Sequence, residues 1–121
     1  MKKLVYLVVL KPSSHRTAEE SLGVQYLASV LNAKGYNAQI RDAWLNDKTT
    51  FDDIYNEIVS KKDEVLFVGT SSYMLNNNIT CTLIKKLNKF NINVACGGYG
   101  PTFEPEMFLH SGANFVMFGE G

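Results

Sequence analysis

Two short stretches carry the residues whose types and spacing could do chemistry. Read from Ala95, ACGGYGPTFEP puts four glycine or proline residues into seven positions, directly after the apolar run NINVA. Gly97, Gly98 and Gly100 remove three Cβ atoms from that turn and admit positive φ, so a ligand can approach the backbone closely. Pro101 stiffens the turn and Thr102 adds one hydroxyl. The second stretch, VGTSSYM, places Thr70, Ser71 and Ser72 at the end of another apolar run. Short hydroxyls there donate or accept hydrogen bonds without blocking entry, although capping the next helix is an equally ordinary use for them. No residue nearby resembles a base that could activate a serine, which argues against a hydrolase.

A third stretch, KPSSHRTAEESLG, is longer than the two to six residues usual between a strand and a helix, and so is expected to cover something. It is not a dinucleotide fingerprint, because no glycine occurs in it before Gly23, and it lacks the GK[ST] of a phosphate loop. Its one histidine, His15, reads as a solvated loop residue more readily than as a metal ligand. Asp42 reads as a polar strand end. It stands where a ribose-binding acid would, but without the glycine loop.

The elements that must position these loops are legible as alternating patterns. Lys3 to Leu10 is a nearly unbroken apolar run, the mark of a strand covered on both faces. Leu22, Tyr26, Leu27, Val30 and Leu31 then recur at helical spacing until Gly35, behind a Thr17–Glu20 capping box. A short strand at Asn37 to Asp42 follows, then a helix capped by Thr50 with Phe51, Ile54, Ile58 and Val59 on one side. Glu64 to Thr70 is a third strand, and the Asn76–Asn78 cluster should cap a third helix carrying Ile79, Leu83, Leu87 and Phe90. Asn91 to Ala95 is a fourth strand, Pro105 opens a short fourth helix that Gly112 closes, and Asn114 to Phe118 is a fifth strand.

This alternation predicts one α/β domain over residues 1–121: a doubly wound, five-stranded parallel sheet of flavodoxin-like, Rossmann-like order 2-1-3-4-5. The helix expected after the fifth strand is missing. Its face of the sheet is then left open to a second copy, as in a homodimer, or the chain is a domain cut from a longer protein. In such a sheet the ligand crevice lies beyond the carboxyl ends of the strands, where the three loops above gather.

Composition limits the partners. Twelve Lys and Arg balance twelve Asp and Glu, so there is no net field to attract nucleic acid or an anionic membrane. The run from Leu4 to Leu10 is too short to cross a bilayer. Cys81 and Cys96 show no metal spacing and fit reduced thiols in a cytoplasmic protein.

The order of these motifs resembles the N-terminal B12 (cobalamin)-binding domain of cobalamin-dependent radical S-adenosylmethionine (SAM) enzymes. Four phrases carry the likeness over almost the whole chain: SLGVQYLASVLNAKGYNAQIRDA, VLFVGTSS, NVACGGYGPTFEPE and ANFVMFGEG. The resemblance implies cobalamin across the carboxyl edge, its nucleotide tail beside the third and fourth strands. Ser71 falls on the serine of the G-x-S-x-L element, with Tyr73 in place of leucine, while Gly97 and Gly98 fall on the GG element and Thr102 on a following hydroxyl. Thr70 and Ser72 flank that serine as further cofactor-binding candidates.

The D-x-H-x-x-G element that supplies a cobalt ligand is not met. Ser13 stands two before His15, and Thr17 and Ala18 follow, so cobalt without a protein histidine is implied. The C-x-x-x-C-x-x-C motif for a 4Fe–4S cluster is absent too. The resemblance therefore implies a non-catalytic, excised piece whose parent supplies the cluster, S-adenosylmethionine and a radical SAM domain as partner, for methyl transfer or related radical chemistry. A flavodoxin or receiver domain, or an interaction module keeping the fold without the cofactor, are the alternatives. A valine at Gly98 is expected to obstruct the ligand and leave the fold intact.

Overall fold

The structure, a computed structural model, describes residues 2–10, 22–43, 50–72, 76–98, 101 and 104–116. The chain runs β1 (Leu4–Val9), α1 (Leu22–Ala33), β2 (Asn37–Asp42), α2 (Phe51–Ser60), β3 (Val65–Ser71), α3 (Asn77–Asn88), β4 (Val94–Gly97), α4 (Pro105–His110) and β5 (Phe115–Val116). All five strands are parallel, in the order β2-β1-β3-β4-β5. The expected architecture is met. Pairing of β1 with β3 shifts between Leu4–Val65 and Val5–Phe67, which leaves Leu66 as an extra residue in β3.

Every residue of β1 is buried, because helices cover both of its faces. Leu4, Tyr6, Val8 and Leu10 meet Ile54 and Ile58 of α2, Leu83, Ile84 and Leu87 of α3, and Phe108 of α4 in the larger core. Val5, Leu7 and Val9 meet Val24 and Ala28 of α1 in a smaller core on the opposite face. Here the sequence pattern misjudged α1. Its buried stripe is Val24 and Ala28 with half-buried Leu31, whereas Tyr26 is 70% exposed and Leu27 39%. A small residue at position 28 lets the helix approach the sheet closely, and the larger side chains are displaced to its flanks.

The helix ends follow local chemistry. Thr50 caps α2 by accepting from the Asp53 amide at 3.2 Å, while the Asp53 carboxylate accepts from the Thr50 amide at 3.2 Å. Pro105 opens α4, and Gly35 and Gly112 follow α1 and α4 at positive φ. Asn76 departs from expectation: its side chain does not cap α3 but donates from Nδ2 to the Leu10 carbonyl at 2.8 Å, tying the α3 entrance to the end of β1. Residues 17 and 20, the capping pair proposed for α1, lie outside the described residues.

One polar network crosses from sheet to helix. The Tyr6 hydroxyl donates to Glu57 Oε2 at 2.7 Å, and Arg41 donates to the same carboxylate through Nε at 2.8 Å and Nη2 at 2.7 Å. The guanidinium also lies over the Tyr6 ring, 5.5 Å from its centroid. The Arg41 hydrogen bonds hold Glu57 below its usual range, and burial beside that carboxylate raises the Tyr6 phenol.

Two outcomes follow. Ile84→Ala, at a fully buried core position, is expected to cost about 2–5 kcal/mol in urea unfolding. Because the Glu57 carboxylate titrates lower folded than unfolded, its contribution is complete above the ordinary glutamate range and is lost as pH falls through the lowered value. Urea midpoints measured from pH 7 to pH 3 should therefore fall less steeply in Glu57→Gln than in the parent chain.

Candidate functional site

The β3–β4 pairing decides which of the candidate residues can act together. Val68 pairs with Val94, Gly69 with Ala95, Thr70 with Cys96 and Ser71 with Gly97. Side chains alternate across a strand, so this register divides the candidates between two faces. Thr70 and Ser72, 6% and 0% exposed, turn with Val68 and Cys96 towards α3 and the larger core. Ser71 and Gly97 turn to the α1 side and are half-buried.

On that α1 side the floor consists of small residues. Gly69, Ser71, Ala95 and Gly97 lie in two register pairs, all half-buried. A Cβ at Gly69 would come 2.9 Å from Leu7 Cδ2, which puts this floor on the face carrying Leu7. A Cβ at Gly97 would meet nothing within 4 Å. Phe115, paired with Ala95 and 65% exposed, stands at the far side. The near side is α1: Asn32 accepts from the Ala38 amide of β2 at 2.9 Å, so the opposite flank of the helix, with Leu27, faces the floor. The result is a trough between α1 and Phe115 whose floor is open at Ser71 and Gly97, next to the carboxyl edge; at Gly69 the space is taken by Leu7 and by Phe67, whose Cε2 would lie 3.8 Å from a Cβ there.

Gly98 has a different job. Its φ is +98°, and a Cβ there would lie 2.4 Å from the Ser72 carbonyl oxygen and 3.1 Å from its nitrogen. The Ser72 amide donates to the Gly97 carbonyl at 2.9 Å, so the ends of β3 and β4 are held together just where this glycine sits. The expectation that valine at Gly98 leaves the fold intact is therefore corrected: such a side chain strikes β3 backbone before it reaches any ligand.

Beneath the edge, on the α3 side, Thr70 Oγ1, Ser72 Oγ, Asn77 Oδ1 and Thr80 Oγ1 are buried without an oxygen or nitrogen partner. The Thr70 hydroxyl touches the Cys96 thiol, which burial nevertheless pushes up to about 11. Cys81 is buried and also raised, chiefly by desolvation. Burial thus disfavours the thiolate form at both cysteines. Among the described residues no group of three or more His, Cys, Asp or Glu could hold a metal, and no helix is long and apolar enough to cross a membrane. His15 and Thr102 lie outside the described residues.

A five-stranded parallel sheet of order 2-1-3-4-5, with a trough open next to its carboxyl edge, belongs to the class of doubly wound α/β ligand-binding domains. The B12 binding domain family matches residues 15–121, and the chain belongs to that family. No curated protein matches it in sequence.

Among solved structures it is similar to the radical S-adenosylmethionine methyltransferase TsrM from Kitasatospora setae with cobalamin and a 4Fe–4S cluster bound. That match has a TM-score of 0.66 and 18% identity over 93% of this chain and 23% of TsrM. It is likewise similar to the cobalamin-dependent S-adenosylmethionine radical enzyme OxsB with aqua-cobalamin and S-adenosylmethionine bound, with a TM-score of 0.82 and 16% identity over 99% of this chain and 17% of OxsB. The chain thus spans about a fifth of the length of these enzymes.

The two adjacent glycines should respond oppositely to substitution. Gly98→Ala combines a positive φ with a backbone clash and is expected to cost about 1–3 kcal/mol or more. Gly97→Ala, facing open space, should stay within about 0.5 kcal/mol of the parent chain. Parallel urea titrations read both.

Proposed function

We propose that this chain is the cobalamin-holding domain of a cobalamin-dependent radical S-adenosylmethionine enzyme, and that the trough over β3 and β4 takes the nucleotide tail of the cofactor. The observation that carries this reading is the pairing of Ser71 with Gly97 on a half-buried floor where a Cβ at Gly97 would meet nothing. A bulky, partly flat ligand needs such a bare surface. Family membership and the likeness to cobalamin-bound structures point to the same ligand.

Each residue then has a definite part. Ser71 offers its hydroxyl to the tail from the floor, and Gly97 lets the tail rest against backbone. Gly98 fixes the join of the two strand ends, so it shapes the site without touching the ligand. Thr70 and Ser72, locked into the core on the other face, hold the Ser71 backbone in place. Leu27 and Phe115 exclude water from the sides, which keeps the polar contact at Ser71 effective. When bound, cobalamin supplies cobalt-centred methyl-transfer or radical chemistry; this chain's contribution is to bind and orient it.

The cluster and S-adenosylmethionine belong, in this reading, to a neighbouring radical SAM domain of a longer parent chain. Such a neighbour would also complete the open side of the trough. A homodimer through the same face is the second reading, favoured by the exposure of Phe115.

Hydroxocobalamin mixed with the purified protein and then desalted should leave corrin absorbance with the protein fraction. Gly97→Val should reduce that retention about tenfold or more while the unfolding midpoint stays close to that of the parent chain. A parent chain that emerges colourless from tens of micromolar cofactor would refute the proposal.

A further inference from the structure

At the amino edge of the sheet, opposite the proposed cofactor edge, charge is gathered although the chain is neutral overall. Lys2 and Lys3 precede β1, Lys61 and Lys62 follow α2, and Lys85 and Lys89 lie in the last turn and cap of α3. In a parallel α/β fold the strand starts and the helix ends lie at one edge, so these six share one end of the molecule on the α2–α3 side. Among the described residues Asp63 and Glu64, in the turn before β3, oppose them there, and Glu57, which feels the charge of Lys61, is already engaged by Arg41. Among the described residues the salt bridge found is Arg41–Glu57, which engages none of the six lysines. All six are exposed.

Helix dipoles favour cations at helix ends, and this accounts for Lys85 and for Lys61 beside α2. It does not account for Lys2 and Lys3, which start a strand. Nor is the edge flat. A recess of about 660 Å³ opens there, lined by Lys2, Lys3, Tyr6, Arg41, Lys61 and Glu64, among others.

We infer that this basic edge is a docking surface for a carboxylate-rich protein segment. Charge complementarity points to an anionic partner. The aromatic rings of the patch decide which class. Lys62 Nζ lies 5.4 Å from the centre of Phe90, and Lys86 Nζ, in the last turn of α3, lies 4.9 Å from the centre of Tyr55. The rings on which the bases of a single strand would stack are already covered by ammonium groups. What the surface offers is exposed point charges that the described salt bridge leaves unengaged, which suit separate carboxylates. A partner held there leaves the opposite edge, with the trough, open, so the inference does not depend on the cofactor reading.

Fluorescein-labelled decaglutamate, titrated by anisotropy at about 150 mM salt, tests this surface. Saturable binding is expected. The pairs Lys61→Glu with Lys62→Glu, and Lys85→Glu with Lys89→Glu, should each weaken it about tenfold or more, with milder losses for the corresponding Gln variants. Unchanged circular dichroism would show that the variants are folded. Absence of binding by the parent chain, binding indifferent to both charge reversals, or tighter binding of an oligothymidylate of equal charge would each overturn the inference.

Discussion

The parallel register between β3 and β4 is the constraint on which the rest of the structure depends. Once Thr70 is opposite Cys96 and Ser71 opposite Gly97, every side chain at the carboxyl end of these strands is committed to one face. A slip of β4 by one residue against β3 would turn Val94 out of the larger core and bring Ala95 into it, losing apolar burial from a central strand. The core therefore enforces the register, and the register in turn makes the trough. The site is a by-product of the same pairing that stabilises the sheet.

The two faces of the sheet divide the work. On one, α2, α3 and α4 bury a continuous apolar cluster that ends near the carboxyl edge in the Ser72 and Thr80 hydroxyls and the Asn77 amide oxygen, which have no hydrogen-bond partner. Each such group carries a cost of about 1–3 kcal/mol, which the packing below must offset. On the other, α1 covers β1 and leaves the ends of β3 and β4 accessible. Rigid on one face and open on the other, the sheet can present a fixed floor to a ligand without reorganising its core. The Tyr6–Glu57–Arg41 network fastens α2 to the rigid face.

The direction of the chain also organises charge. Acids at the helix starts, such as Asp52 and Asp53 of α2 and Glu106 of α4, lie towards the carboxyl edge, and lysines at the helix ends lie towards the amino edge. Both placements favour the helix dipoles. Because every helix runs the same way relative to the sheet, these local preferences add up to an electrically polarised domain, which a count of charges along the chain conceals.

Alternation of apolar runs with helical spacing was enough, in the sequence, to give the number and order of elements, the parallel sheet and the loops that could form a site. Those features rest on local periodicity, to which each residue contributes independently. Periodicity misled in α1, where it marked Tyr26 and Leu27 as core, because burial there depends on how closely Ala28 lets the helix approach β1. It could not separate Ser71 from Thr70 and Ser72, or Gly97 from Gly98. Those distinctions are made by atoms far away in the chain: the β4 partner of each β3 residue, and the Ser72 carbonyl that forbids a side chain at Gly98. The sequence by itself determined which elements form and which loops meet; only the tertiary structure decided which face each side chain serves, since facing is a property of pairs of strands and no single strand encodes it.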